Sequence, residues 1–100
     1  MKKIMLACAG GFSTSMLMER MRQAATQQGL EVTIDATAEG RVDKMIEEID
    51  VLLLGPQVGY LEDTLKTKYA GHDVVIKTIP SIDYGMMNGE KVLHDALVLE

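Results

Sequence analysis

The feature that most constrains this chain is an alternation. Short apolar runs of strand length take turns with segments of helical period from one end to the other. Lys2 to Ala7 is a strand, mostly apolar, as a strand covered on both faces must be. A helix follows from about Ser15 to Gln28, with Leu17, Met21, Ala24, Ala25 and Gln28 on one face and Gly29 as its stop. Glu31 to Ala36 alternates Val32 and Ile34 with polar residues and reads as an edge strand. Val42, Met45, Ile46 and Ile49 fall at i, i+3, i+4 and i+7, which predicts a short amphipathic helix. Asp50 to Leu54 is the most apolar run and belongs at the centre of the sheet; Gly55-Pro56 ends it. Val58, Leu61 and Leu65 mark a third helix to about Tyr69, and Asp73 to Lys77 is another buried strand. Pro80 to Gly89 reads as a loop with a short extended piece near Ile79 to Asp83. Asn88 then caps a final helix carrying Val92, Leu93, Ala96 and Leu97.

Four strands alternating with four helices predict an α/β fold: a doubly wound parallel sheet with helices on both faces. Right-handed crossovers leave few topologies. With the amphipathic second strand at an edge, the order is 2-1-3-4, and the switch point lies between strands 1 and 3. Ligands of such sheets bind at the carboxyl ends of the strands, at that switch. The loops meeting there are Cys8 to Ser15 and Gly55 to Gln57, and the Pro80 to Tyr84 loop reaches the same end. The whole chain, residues 1–100, fits one domain.

Composition removes several classes of partner. A formal net charge of −5 argues against nucleic acid and against an anionic membrane surface. A single cysteine excludes an internal disulfide framework and suits a reducing cytoplasm. The apolar run after Lys2-Lys3 is too short for a signal sequence, and Val51 to Leu54 is far too short to cross a bilayer. The expectation is a cytoplasmic protein without direct membrane insertion, which serves any membrane process through a partner.

That single cysteine, Cys8, closes the first strand and opens the loop Cys8-Ala9-Gly10-Gly11-Phe12-Ser13-Thr14-Ser15. Strand, glycine-containing turn, then helix start is the geometry of an anion cradle, because the first N–H groups of a helix carry partial positive charge. The same groups favour thiolate over thiol. A buried cysteine is often only a small hydrophobe, but the hydroxyl-rich loop shifts the balance towards chemistry. Reactive thiols in phosphate loops serve phosphatases, which let water remove the phosphate, or carriers, which hold it for a second acceptor. Low-molecular-weight tyrosine phosphatases place an arginine six residues after the cysteine to clamp the phosphoryl oxygens. Here that position is Thr14. Backbone amides and the hydroxyls of Ser13, Thr14 and Ser15 remain, enough to hold a dianion without driving hydrolysis. A carrier is therefore favoured over a phosphatase or an arsenate-reductase-like enzyme. A non-catalytic flavodoxin-like regulator with an inert Cys8 is the binding-module alternative.

Three segments carry a family resemblance: Cys8-x-x-Gly11-x-Ser13-Thr14-Ser15-x-Leu17, Gly55-Pro56-Gln57-Val58, and Tyr84-Gly85-Met86-Met87-Asn88-Gly89. Together, in this order, the chain resembles the enzyme IIB component of the bacterial sugar phosphotransferase system, in its lactose, cellobiose and chitobiose branch. The resemblance implies that Cys8 accepts phosphate from a phosphohistidine of enzyme IIA and passes it to a disaccharide bound by the membrane permease, enzyme IIC. It implies a phosphate-binding loop of Ala9, Gly10, Gly11, Phe12, Ser13, Thr14 and Ser15, with Pro56, Gln57 and Tyr84 lining the site or touching a partner. No cofactor or metal is expected. Where the family pattern suggests an aspartate, this chain has Asn88.

Other polar residues read as ordinary surface. His72 sits in a turn and His94 on the last helix, and neither has a second ligand at metal spacing. Glu47-Glu48 and Glu62-Asp63 read as solvated helix faces, and Arg20 and Arg22 as surface charges. The eight methionines are mostly core filler, although Met16, Met18, Met86 and Met87 offer a soft apolar docking surface near Cys8. Phe12 is a further candidate for docking.

Overall fold

The computed structural model describes residues 2–8 and 12–98, the side chains of residues 12–14 and 39 excepted. Its strands are β1 (Lys2–Cys8), β2 (Val32–Ala38), β3 (Val51–Leu54) and β4 (Val75–Thr78). They form one sheet in the order β2-β1-β3-β4, with every pair parallel, as the patterning predicts. The helices are α1 (Phe12–Gln28), α2 (Glu62–Lys68), α3 (Ser81–Gly85) and α4 (Gly89–Val98).

Side chains alternate across a strand, so each central strand feeds two cores. Ile4 and Leu6 of β1, with Val51 and Leu53 of β3, pack against Leu17, Met21, Ala24 and Ala25 of α1 and Val92, Leu93 and Ala96 of α4. Ala7, Leu52 and Leu54 face the other way, onto Val42, Ile46, Ile49, Val58, Leu65 and Tyr69. A fully buried leucine such as Leu17, Leu52 or Leu93 contributes roughly 2–3 kcal/mol from burial alone. The two helices of the first core approach closely. A Cβ on Gly89 would lie 2.5 Å from the Arg20 carbonyl carbon, so only glycine fits at that crossing. The Asn88 carboxamide accepts from the Lys91 N–H at 3.3 Å and caps α4 as expected.

Five expectations need correction. α1 starts at Phe12, three residues before Ser15, which brings the helix start closer to Cys8. Gln28 is exposed, because the apolar stripe of α1 ends at Ala25. The segment carrying Val42, Met45, Ile46 and Ile49 forms two 3-10 helices, Glu39–Lys44 and Ile46–Glu48, instead of an α-helix. Ala38 supplies no capping oxygen, Gly40 lowers helix propensity, and Met45 leaves the helical region at φ −129°, yet the apolar residues still reach the core. Likewise Pro56–Leu61 is a 3-10 helix, interrupted at Val58 (φ −118°), before α2 begins.

The Pro80 to Gly89 stretch is not a loop: it contains the one-turn helix α3. That helix ends in a Schellman motif, with Met87 N–H donating to the Tyr84 carbonyl (3.2 Å) and Asn88 N–H to the Asp83 carbonyl (3.0 Å). Met87 holds the left-handed position at φ 54°, which usually falls to glycine. Its side chain packs against the α1/α4 core and offsets that strain.

Candidate functional site

Cys8 is the last residue of β1, the strand flanked by β2 and β3 at the switch point of the winding. It is 3% exposed. Alternation places it on the same face as Ile4 and Leu6, the face covered by α1. Gly55 continues that face from β3 after Val51 and Leu53. Its N–H donates to the Ala7 carbonyl at 2.8 Å, so the ladder runs on to the end of Cys8's strand. A Cβ on Gly55 would stand 3.4 Å from Cys8 Cβ and 2.7 Å from Gln57 Oε1. A side chain at Gly55 would have to displace the Gln57 carboxamide and would stand in van der Waals contact with Cys8. Gly55 thus lies against Cys8, and Gln57 lies against Gly55.

The start of α1 faces the same end of the sheet. Its first turn contains no acidic residue, so nothing there competes with a bound anion. Ala9, Gly10 and Gly11 lie outside the described residues, as do the side chains of Phe12, Ser13 and Thr14. Ser15 is exposed and Pro56 is half-buried. Tyr84 sits in the α1/α4 core at 7% exposure. The surface that its segment offers is Ile82 and Met86 instead.

Six large apolar side chains are exposed among the described residues, and four of them, Met16, Tyr60, Ile82 and Met86, lie on segments leaving the carboxyl ends of strands. Tyr60 is the most open, at 78%. Met18 and Met87, named with the docking candidates, are half-buried against the core. Tyr60 and Ile82 escaped the sequence reading. The signal for Tyr60 was present: it falls off the Val58, Leu61, Leu65 stripe and so had to point outward.

Charge near this end is anchored. The Glu62 carboxylate is held below the ordinary glutamate range, first by the Lys66 ammonium and then by the Thr78 hydroxyl. Asp83, a buried residue of α3, pairs with Lys91 at 2.8 Å, and Lys91 also meets Asp95 at 2.9 Å; both contacts raise the lysine above its usual value. On the other face of the sheet, Lys68 and the Tyr69 hydroxyl lower the Asp43 carboxyl. His72 is exposed and stands edge-on to the Tyr69 ring at 5.7 Å; His94 is exposed on α4. Among the described residues no three His, Cys, Asp or Glu side chains are grouped to hold a metal, and no helix is long and apolar enough to cross a membrane.

Known proteins share both the sequence and the fold. The family model for the PTS system, lactose/cellobiose-specific IIB subunit, matches residues 3–95. The PTS galactose-specific EIIB component of Lactococcus lactis subsp. cremoris (strain MG1363) is 41% identical over 100 residues, covering 95% of this chain and 93% of that protein. The oligo-beta-mannoside-specific EIIB component of Bacillus subtilis (strain 168) is 34% identical over 99 residues, covering 99% and 96%. The solution structure of the cellobiose-specific phosphotransferase IIB component of Borrelia burgdorferi matches with a TM-score of 0.81 at 39% identity, over 98% of this chain and 90% of that one. The lactose-specific IIB component domain from Streptococcus pneumoniae has the same fold, with a TM-score of 0.88 at 20% identity over 97% and 95%. Matched along nearly its whole length by the family model and by these relatives, the chain belongs to the lactose/cellobiose-specific IIB subunits of the sugar phosphotransferase system.

Proposed function

We propose that Cys8 is the covalent carrier in a phosphoryl relay that accompanies sugar uptake. The Cys8 thiolate attacks the phosphorus of a phosphohistidine on enzyme IIA; the S–P bond forms, the N–P bond breaks, and the imidazole leaves. A hydroxyl of a disaccharide bound by the permease, enzyme IIC, then attacks the same phosphorus: the O–P bond forms, the S–P bond breaks, the thiolate departs and the hydroxyl proton passes to water. Loop amides from Ala9 to Ser15, with the hydroxyls of Ser13, Thr14 and Ser15, hold the phosphoryl oxygens through both steps. The chain works in the cytoplasm, between a soluble donor and a membrane partner.

The observation that carries this reading is the seat of Cys8 at the carboxyl end of β1, beside Gly55 and ahead of the acid-free start of α1. Thr14 in place of an arginine supports a carrier over a hydrolase, since no fixed cation activates water against the phosphocysteine. The exposed Met16, Tyr60, Ile82 and Met86 supply the apolar ground on which the partners dock, and Phe12, the first residue of α1, is a further candidate by sequence.

The test is to incubate the protein with phosphorylated enzyme IIA and map the phosphate by mass spectrometry. Label on Cys8 is expected. Cys8→Ser should accept no phosphate while keeping its fold, because a serine hydroxyl is far less ionised near neutral pH. Normal labelling of that variant refutes the assignment.

A further inference from the structure

We infer that Glu62 and Thr78 are positioning residues for phosphoryl transfer: their contact fixes the Pro56–Leu61 segment to the end of β4, and so sets the shape of the surface around Cys8 that a partner must meet. The inference rests on the phosphocarrier reading above and adds to it two residues that do not touch the phosphate.

The geometry begins with register. Thr78 ends β4 and lies opposite Leu54, which lies opposite Ala7, the residue before Cys8. The Val75 and Ile79 N–H groups donate inward to β3, to the Asp50 and Leu54 carbonyls at 3.0 and 2.8 Å. By alternation the Thr78 N–H points off the open edge of the sheet. Glu62 Oε1 meets it there, accepting from Thr78 N at 2.9 Å and from Thr78 Oγ1 at 2.7 Å. The other oxygen, Oε2, accepts from Lys66 Nζ at 2.8 Å, and the Glu62 side chain is 23% exposed.

The segment grips Thr78 a second time. A Cβ on Gly59 would come within 2.9 Å of Thr78 Cγ2, so the backbone of the segment lies directly on that side chain. Tyr60 projects between the two grips. Upstream, Gln57 reaches back to Gly55 beside Cys8; downstream of Thr78, Pro80 leads straight into α3 with Ile82 and Met86. One threonine therefore joins two of the three loops at the carboxyl end. The joined segment is weakly held by its own backbone, being a six-residue 3-10 helix broken at Val58. Side-chain contacts must decide where it rests.

The experiment measures the rate of transfer from phosphorylated enzyme IIA to Cys8 over a range of donor concentrations. Glu62→Ala and Thr78→Val should raise the half-saturating donor concentration about five- to tenfold, the order expected when a hydrogen-bonded contact that preorganises a binding surface is lost. The maximal rate should change less than about twofold, because the thiol and its cradle are untouched. Thr78→Ser keeps the hydroxyl and the N–H, loses only the methyl that faces Gly59, and should recover most of the loss seen in Thr78→Val. Should Glu62→Ala fail to fold, Thr78→Val and its serine counterpart carry the test. Wild-type saturation in Thr78→Val, a loss confined to the maximal rate, or a serine variant as impaired as the valine one overturns the assignment. A labelled wild-type protein with an unimpaired Glu62→Ala refutes the positioning role alone. An unlabelled wild-type protein refutes the carrier reading, and the positioning role with it.

Discussion

Each edge of the sheet is met by a charged side chain from a helix, and the two closures differ in sign, place and consequence. On β2, Arg22 of α1 donates from Nε to the Ile34 carbonyl at 2.8 Å and from Nη2 to Asp35 at 2.9 Å. On β4, the Glu62 carboxylate accepts the Thr78 N–H. A cation covers a carbonyl at one edge; an anion covers an amide at the other. Both satisfy groups that would otherwise offer a template for another strand. Ile34 lies opposite Ile4, in the body of the sheet, where nothing downstream depends on its exact placement. Thr78 lies at the carboxyl end, where two loops start from the same contact. The same device therefore protects an edge in one place and shapes a surface in the other. Arginine also stays charged at any working pH, while glutamate does not.

The sharpest way to break this contrast is to wedge the β4 closure open. Gly59→Val places a branched side chain where a single Cβ already meets Thr78 Cγ2 at 2.9 Å. Transfer efficiency from the donor protein should fall by about tenfold or more, beyond the effect of Glu62→Ala, since overpacking displaces the segment rather than merely releasing it. Stopped-transfer assays beside thermal melts check it; full efficiency with a stable fold would dissolve the distinction between the edges. Arg22→Ala is the converse test. It should lower stability by about 1 kcal/mol through the lost bond to Ile34 and leave transfer within about twofold of wild type. A kinetic defect there, measured in the same assay, would mean that both edges communicate with the site.

The smallest expected effect is the dependence on pH. The Glu62 carboxyl titrates lower in the folded chain than in the unfolded one, chiefly because of Lys66. Its stabilisation is therefore present above the ordinary glutamate range and is lost as pH falls through its lowered folded value. Glu62→Gln should flatten the acid limb of a melting-temperature profile between about pH 6 and about pH 3, by no more than about 1 kcal/mol at this partly exposed site. Asp43, lowered by Lys68 and Tyr69, keeps a residual slope. Arg22→Ala should leave the slope as it is in wild type; an equal flattening in both variants would remove the electrostatic difference between the edges.

Two helix ends show where sequence reading succeeds and where it stops. α1 and α3 both finish in a Schellman motif, with Leu30 N–H donating to the Ala25 carbonyl at 2.9 Å in the first and Asn88 N–H to the Asp83 carbonyl in the second. Gly29 announces the first at φ 68°, because glycine alone takes that conformation without a Cβ penalty. Met87 conceals the second: its φ of 54° is tolerated only because the side chain finds a place against α1 and α4. With that signal missing, α3 reads as loop, and Ile82 and Met86 lose their helical setting. Cys8 was legible for the opposite reason. Its role depends on strand, turn and helix start, all within a few residues of one another.

The sequence by itself determined the alternation of elements, the sheet order, the central place of Val51 to Leu54 and the position of Cys8 at the switch point. These follow from local periodicity and from the polarity of each strand, quantities written in neighbouring residues. Only the tertiary structure decided that Glu62 meets Thr78, sixteen residues away, and that Arg22 meets Ile34, twelve away. It also decided that the Val42 to Ile49 segment winds as 3-10 helix. Those outcomes turn on how packed elements place single hydrogen-bonding groups within 3 Å of one another. A pattern of apolar spacing fixes which face of a segment is buried, but leaves its winding and the reach of its polar side chains to the packing of the whole.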